Sequence, residues 1–228
     1  MLTPANFVRI ITRITAIALL LTGLASAQNI FTEGIKGNIH SVRFNFENPD
    51  LTPAAYELSV DITGDAAYTF RDADADPVST SPRRFQVSKP TRDRIFALTE
   101  SLRQFRGDYE FKKHRVSFTG HKTFTYTEGA EQYSTRFNWS ENRDITELAA
   151  LFQGIAATLE GETRLIHLRK HDKLGLDAKL KQMEQQAKSG WLKEISVIAK
   201  VLNEIKNDPQ VMSMARDRAG RLLKLAGN

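Results

Sequence analysis

Hydrophobic residues recur at spacing two in several separate stretches of the chain. Within residues 111–155, Val116 and Phe118, then Phe124 and Tyr126, then Tyr133, Thr135 and Phe137 alternate with polar neighbours. That is the period of a strand with one face buried. Gly120 and Gly129 fall between these runs, where a tight reversal calls for positive φ. Three strands and two turns are therefore expected, leading into a helix. After Asn142 the period lengthens, with Ile145, Leu148, Phe152, Ile155 and Leu159 on one side of a helix over 144–160.

The same period appears earlier. Val42, Phe44 and Phe46 predict a first strand, closed by a turn at Asn48-Pro49-Asp50. Tyr56, Leu58, Val60 and Ile62 predict a second, which turns at Gly64-Asp65 into a partner carrying Tyr68 and Phe70. Residues 72–84 hold acids, Ser, Thr and two prolines, a loop composition. Phe85 and Val87 suggest a short strand. Residues 88–105 read as a helix with Ser88 or Thr91 as cap, Pro90 in the first turn, and Ile95, Leu98, Leu102 and Phe105 as its buried stripe.

Past Leu159 only helical periods remain. Leu176, Leu180, Met183 and Ala187 share a face, stopped by Ser189-Gly190, and Leu192, Ile195, Ala199, Leu202 and Ile205 mark the next helix. Asp208-Pro209 predicts an N-cap with Pro at the first helical position, followed by Val211, Met214, Ala215, Leu222 and Leu225. Trp139 is expected as a plug between sheet and helix, and Trp191 as an anchor for the second tail helix. This order of elements predicts an α+β fold: an antiparallel β-meander sheet with helices packed on one face, then an all-α helical-hairpin region. The expected organisation is a leader at 1–27, a sheet domain at 28–160 and a helical region at 161–228, unless the helix 144–160 bridges the last two.

Composition adds a location. Arg9 and Arg13 precede an apolar run at 14–24 and the small residues Ala25-Ser26-Ala27. That order reads as a secretory signal cleaved after Ala27, and the apolar run is shorter than the roughly 20 residues of a membrane span. A periplasmic or secreted location follows, with no stable membrane insertion after cleavage. The chain has 0 Cys, which removes disulfides, thiolate catalysis and cysteine metal sites. Residues from 161 onward carry 14 Lys+Arg against 8 Asp+Glu. The simplest reading of that surplus is a solvated helical face, and no nucleic-acid partner is expected.

Candidate chemistry is sparse. Asp72, Asp74 and Asp76 alternate like the first half of a calcium loop, but Pro77 stands where that loop needs Gly, and Arg83 where it needs Glu. They are the expected metal ligands if a weak calcium site exists. His167 and His171 have the i, i+4 spacing of zinc ligands but enclose Leu168, Arg169 and Lys170 rather than the Glu of a metalloprotease. Asp108, Glu110, Asp144 and Glu147, with His114 or His121, could serve a hydrolase on paper, though no nucleophile motif accompanies them. No catalytic residue and no cofactor is assigned.

Tyr56-x-Leu58-x-Val60 with Gly64 and Tyr68, then Thr91-Arg92-Asp93-Arg94-Ile95-Phe96, then Lys122-Thr123-Phe124-Thr125-Tyr126, resemble an uncharacterised family of secreted bacterial proteins. The resemblance spans roughly 54–155 and implies a small exported sheet-plus-helix domain; it supplies no activity or catalytic residues. The expectation is an exported, non-catalytic envelope or secreted protein that binds a protein partner. A hydrolase and a calcium-dependent adhesion module are the alternatives.

Overall fold

Six strands form a single antiparallel sheet whose inner face is lined by the alternating residues of the sequence pattern. The computed structural model describes residues 40–71 and 81–227, and the expected leader and the Asp72, Asp74 and Asp76 loop lie outside them. The strands are β1 (Ser41–Glu47), β2 (Ala55–Asp61), β3 (Asp65–Arg71), β4 (Arg83–Gln86), β5 (His121–Glu128) and β6 (Glu131–Phe137), in the spatial order β4-β3-β2-β1-β5-β6. The helices are α1 (Lys89–Ser101), α2 (Arg143–His171), α3 (Lys173–Lys188), α4 (Ala199–Asn207) and α5 (Ser213–Ala226). The fold is α+β. Residues Ile39–Asn228 group as one compact unit.

Register places like with like on the inner face. Phe44 lies opposite Leu58 on one side and Phe124 on the other, and Val42 lies between Val60 and Tyr126. These side chains meet Ile95 and Leu98 of α1, Leu102 just past its end, and Ile145, Leu148, Phe152 and Ile155 of α2 in one buried cluster. The opposite face stays polar, with Asn45 donating to Glu57 at 2.9 Å and Arg136 reaching Glu47 at 3.3 Å. The β2–β3 hairpin turns as expected, because Asp61 Oδ1 accepts from the backbone N–H groups of Thr63 and Asp65 at 2.9 and 3.0 Å.

Three expectations need correction. The helix predicted to reach Phe105 ends at Ser101, and Arg103, Gln104 and Phe105 then take φ of 51, 52 and 66°. Left-handed backbone costs a non-glycine residue about 1 kcal/mol. Here it swings Phe105 into the core, stacked 5.2 Å from Phe124, where burial of a large ring offsets much of that cost. Asp208-Pro209 does not start a helix. Asp208 ends α4, its Oδ1 accepts from Gln210 N–H at 2.9 Å, and α5 begins only at Ser213. The other Asp208 oxygen takes Arg169 at 3.0 Å, so the carboxylate ties the turn after α4 to α2. The third correction, the missing strand before β5, shapes the candidate site.

The helix expected over 144–160 runs on to His171, passing through Gly161 without a break. Its first half belongs to the core under the sheet; Leu165 and Leu168 belong to a second core with Leu176, Leu180, Ile198, Leu202, Ile205 and Leu222. Two glycines seven residues apart let the tail approach. A Cβ at Gly154 would lie 2.4 Å from the Trp191 carbonyl oxygen, and one at Gly161 would lie 2.5 Å from Met183 Cε. Around Gly154 the crossing chain is fastened by hydrogen bonds: Thr158 Oγ1 donates to the Lys193 carbonyl at 2.7 Å. One residue further on, Glu194 accepts from Ser88 N–H at 2.9 Å and Ser88 Oγ at 2.7 Å, and from the Thr91 hydroxyl. An anion there complements the positive end of α1. So Trp191 crosses α2 with its backbone and leaves its ring 39% exposed.

Candidate functional site

Residues 108–120, which include the strand expected at Val116 and Phe118, form no regular structure. The physical reason is the run Lys112-Lys113-His114-Arg115, four residues that cannot alternate into a core. All four are exposed, and hydrogen bonds to the backbone fix the chain at its two ends. At the first end Phe111 N–H donates to the Trp139 carbonyl at 2.9 Å, and Glu110 accepts from Asn138 N–H at 2.6 Å. At the second end Asn138 bridges the loop, accepting from Thr119 N–H at 2.7 Å and donating to the Ser117 carbonyl at 3.0 Å.

Beneath this second end sits Lys122, a buried lysine on the inner face of β5. Its ammonium donates to Thr119 Oγ1 at 3.1 Å, Gly120 O at 3.1 Å and Asn138 O at 2.8 Å. Burial pulls its pKa below the usual lysine value, and the nearby Glu110 charge opposes that shift. All three donors are matched, so the buried charge is tolerated. Gly120 closes the loop at φ +103°, with the Phe46 ring 2.6 Å from where a Cβ would lie.

A cleft of about 500 Å³ opens between 108–113 and the start of α2, lined by Tyr109, Phe111, Lys113, Ser140, Glu141 and Asn142 among others. Lys112 pairs with Asp108 along one wall, and Lys113 pairs with Glu141 across the cleft at 2.6 Å. Lys112 holds the Asp108 carboxyl below the usual aspartate range. Phe111 is buried and meets Trp139 edge-on, the rings 4.7 Å apart at 89°. Trp139, expected as the plug between sheet and helix, stands 40% exposed beside the cleft. His114 packs 4.6 Å from Phe111, and the exposed Phe118 packs 5.0 Å from His121.

The carboxylates proposed for hydrolysis do not converge. Asp108 faces Lys112, Glu110 holds a backbone N–H, and Asp144 accepts from the Ser101 hydroxyl. Glu147 is gripped by Arg94 through two bonds of 2.6 Å, which holds its carboxyl below the usual glutamate range. Neither His114 nor His121 is hydrogen-bonded to a carboxylate among the described residues. His167 and His171 do share a face of α2, with rings 4.8 Å apart. Among the described residues no three His, Asp or Glu side chains group as metal ligands.

What the sequence pattern missed is the cleft itself. The available signal was the unbroken basic run after Phe111: four polar residues in a row cannot continue a period of two. No protein-family model matches the chain, and no curated protein matches it. The functional reading therefore rests on the site.

Proposed function

We propose that this chain is an exported, non-catalytic cell-envelope or secreted protein that binds a protein partner through the cleft between 108–113 and the start of α2. The observation that carries the reading is an open cleft with paired charges of both signs on its walls and an exposed Trp139 backed edge-on by Phe111. Exposed tryptophan over a rigid support is the residue type that concentrates binding energy at protein interfaces. Ion pairs that can exchange partners supply orientation rather than chemistry. The leader expected at 1–27 supports the location.

Site-specific photo-crosslinking tests the binding. A crosslinker at position 112 should capture a discrete partner in envelope extract, and one at Lys200, on the exposed face of α4, should not. Trp139→Ala should abolish the adduct. Equal labelling from both positions would sink the proposal. So would turnover of esters, glycosides or peptides by the purified chain that disappears in Glu110→Gln or His114→Ala.

A further inference from the structure

The tail's electrostatics are lopsided in a way its overall charge does not reveal. Near the corner where α2 gives way to α3, the acids are committed internally. Asp172 caps α3 by accepting from Gly175 N–H at 2.8 Å, and Glu204 and Asp208 hold Arg169 at 2.7 and 3.0 Å. Arg164, Lys170, Lys173 and Lys181 are exposed and have no acidic partner in an ion pair among the described residues. The cations left pointing outward outnumber the acids.

Two aliphatic side chains protrude near the same corner. Leu174 is 76% exposed, more than any other exposed large hydrophobe of the described chain, and Ile166 is 55% exposed. Ile166 and Lys170 lie one turn apart on the side of α2 opposite its buried stripe of Gly161, Leu165 and Leu168. Leu174 lies in the first turn of α3, separated from α2 by Asp172 alone. Protruding aliphatic residues beside the exposed Lys170 and Lys173 are poorly suited to a rigid apolar pocket but suit a soft interface of headgroups and acyl chains.

We infer that the α2–α3 corner docks on an anionic lipid bilayer, with Ile166 and Leu174 seated at the headgroup–acyl boundary and Lys170 and Lys173 on the headgroup phosphates. The contact is peripheral: no helix among the described residues is long and apolar enough to cross a membrane. A basic side chain near an anionic surface and a buried aliphatic side chain each add to the attraction, and neither alone holds a protein there. This surface is distinct from the cleft and stands whether or not the cleft binds protein.

Vesicle co-sedimentation tests the inference, using the chain from Gln28 onward. That chain keeps the compact unit Ile39–Asn228 and omits the apolar run at 14–24, which would bind lipid on its own account. Vesicles of phosphatidylcholine with phosphatidylglycerol should bind it at low salt, less so as salt rises, and phosphatidylcholine alone should not. The pair Ile166→Ser and Leu174→Ser should weaken binding by about tenfold or more, and the pair Lys170→Glu and Lys173→Glu should abolish it. Both pairs change exposed positions, so melting temperatures should match the parent. Absence of binding, equal binding to neutral vesicles, or unchanged binding by the serine pair would overturn the inference. Equal competition by soluble polyglutamate would overturn it in favour of an acidic protein partner.

Discussion

Aromatic rings fill the core beneath the sheet, whereas the core of the helical tail contains none. Phe44, Phe105, Phe124 and Phe152 meet at centroid distances of 4.7 to 5.5 Å under β1 and β5. The tail core is built from Leu, Ile, Val and Met with Ala215 and Ala219 at the α5 contact. The difference follows from geometry. A helix laid across a sheet leaves a space about 10 Å deep that rings fill well, while small residues on one helix let neighbouring helices approach closely. The two regions also treat charge differently. The sheet core admits Lys122 only with neutral oxygens around it, and the tail buries Glu184, 5% exposed, amid cations. Arg221 grips it at 2.8 and 3.0 Å, Lys188 at 2.8 Å and Arg218 at 3.3 Å.

Removing one large side chain from each core tests whether they are one cooperative structure. Phe124→Ala should cost about 4 kcal/mol and Leu180→Ala about 3 kcal/mol. Because α2 contributes to both cores, each variant should melt in a single transition, followed by circular dichroism and calorimetry together. Two separated transitions in either variant would mean that the cores fold independently.

The next effect in size belongs to Glu184. Glu184→Ala leaves Arg218 facing Asp177 at 2.9 Å, but removes the group that draws Arg221 and Lys188 inward, and should cost about 3 kcal/mol. Arg221 and Lys188 hold its carboxyl down to about 2, from an ordinary 4.5. A pKa lowered by folding stabilises the folded state above the unfolded value, and that contribution fades as pH falls from about 4.5 towards 2. Denaturant titrations across this window should show the parent losing stability more steeply than Glu184→Gln. Parallel curves would show that the hub contributes nothing.

How the tail meets the sheet module gives a smaller effect. A methyl at Gly154 would strike the Trp191 carbonyl, and overpacking of that kind costs about 2 kcal/mol. Replacing a mid-helix glycine by alanine returns about 1 kcal/mol through helix propensity. Gly154→Ala should therefore destabilise by about 1 kcal/mol and raise amide exchange at Lys193, which donates to Gly154 O. A net stabilisation would mean that the crossing segment yields easily.

These features were unequally legible in the sequence. Residues repeating every two positions marked β1, β2, β3, β5 and β6, because each has one wet and one dry face. The stripe through Leu176, Leu180 and Met183 marked α3 for the equivalent reason. The candidate site escaped because it forms where periodicity stops. Val116 and Phe118 continue the alternation, yet Phe118 is 48% exposed, and only the tertiary pairing of Glu110 and Phe111 with Asn138 and Trp139 decides that the loop leaves the sheet. The turn at 103–105 was equally hidden, since no glycine announces it. No pattern in the sequence singles out Glu184, because only the packing of α5 brings Arg218 and Arg221 against it.

The least effect should come from an exposed ion pair whose bonds are shorter than any to Glu184. Arg94 holds Glu147 through two contacts of 2.6 Å, tighter than any contact to Glu184, and the pairing raises the Arg94 pKa. Both side chains are about half exposed, so water competes for each charge and salt screens the remainder. Arg94→Ala should leave the melting temperature within experimental error of the parent in 0.15 M salt, roughly physiological ionic strength, while Glu184→Ala lowers it by many degrees. If the two variants fell by similar amounts, bond length rather than burial would set the worth of a charge pair here, and the contrast between the two regions would collapse.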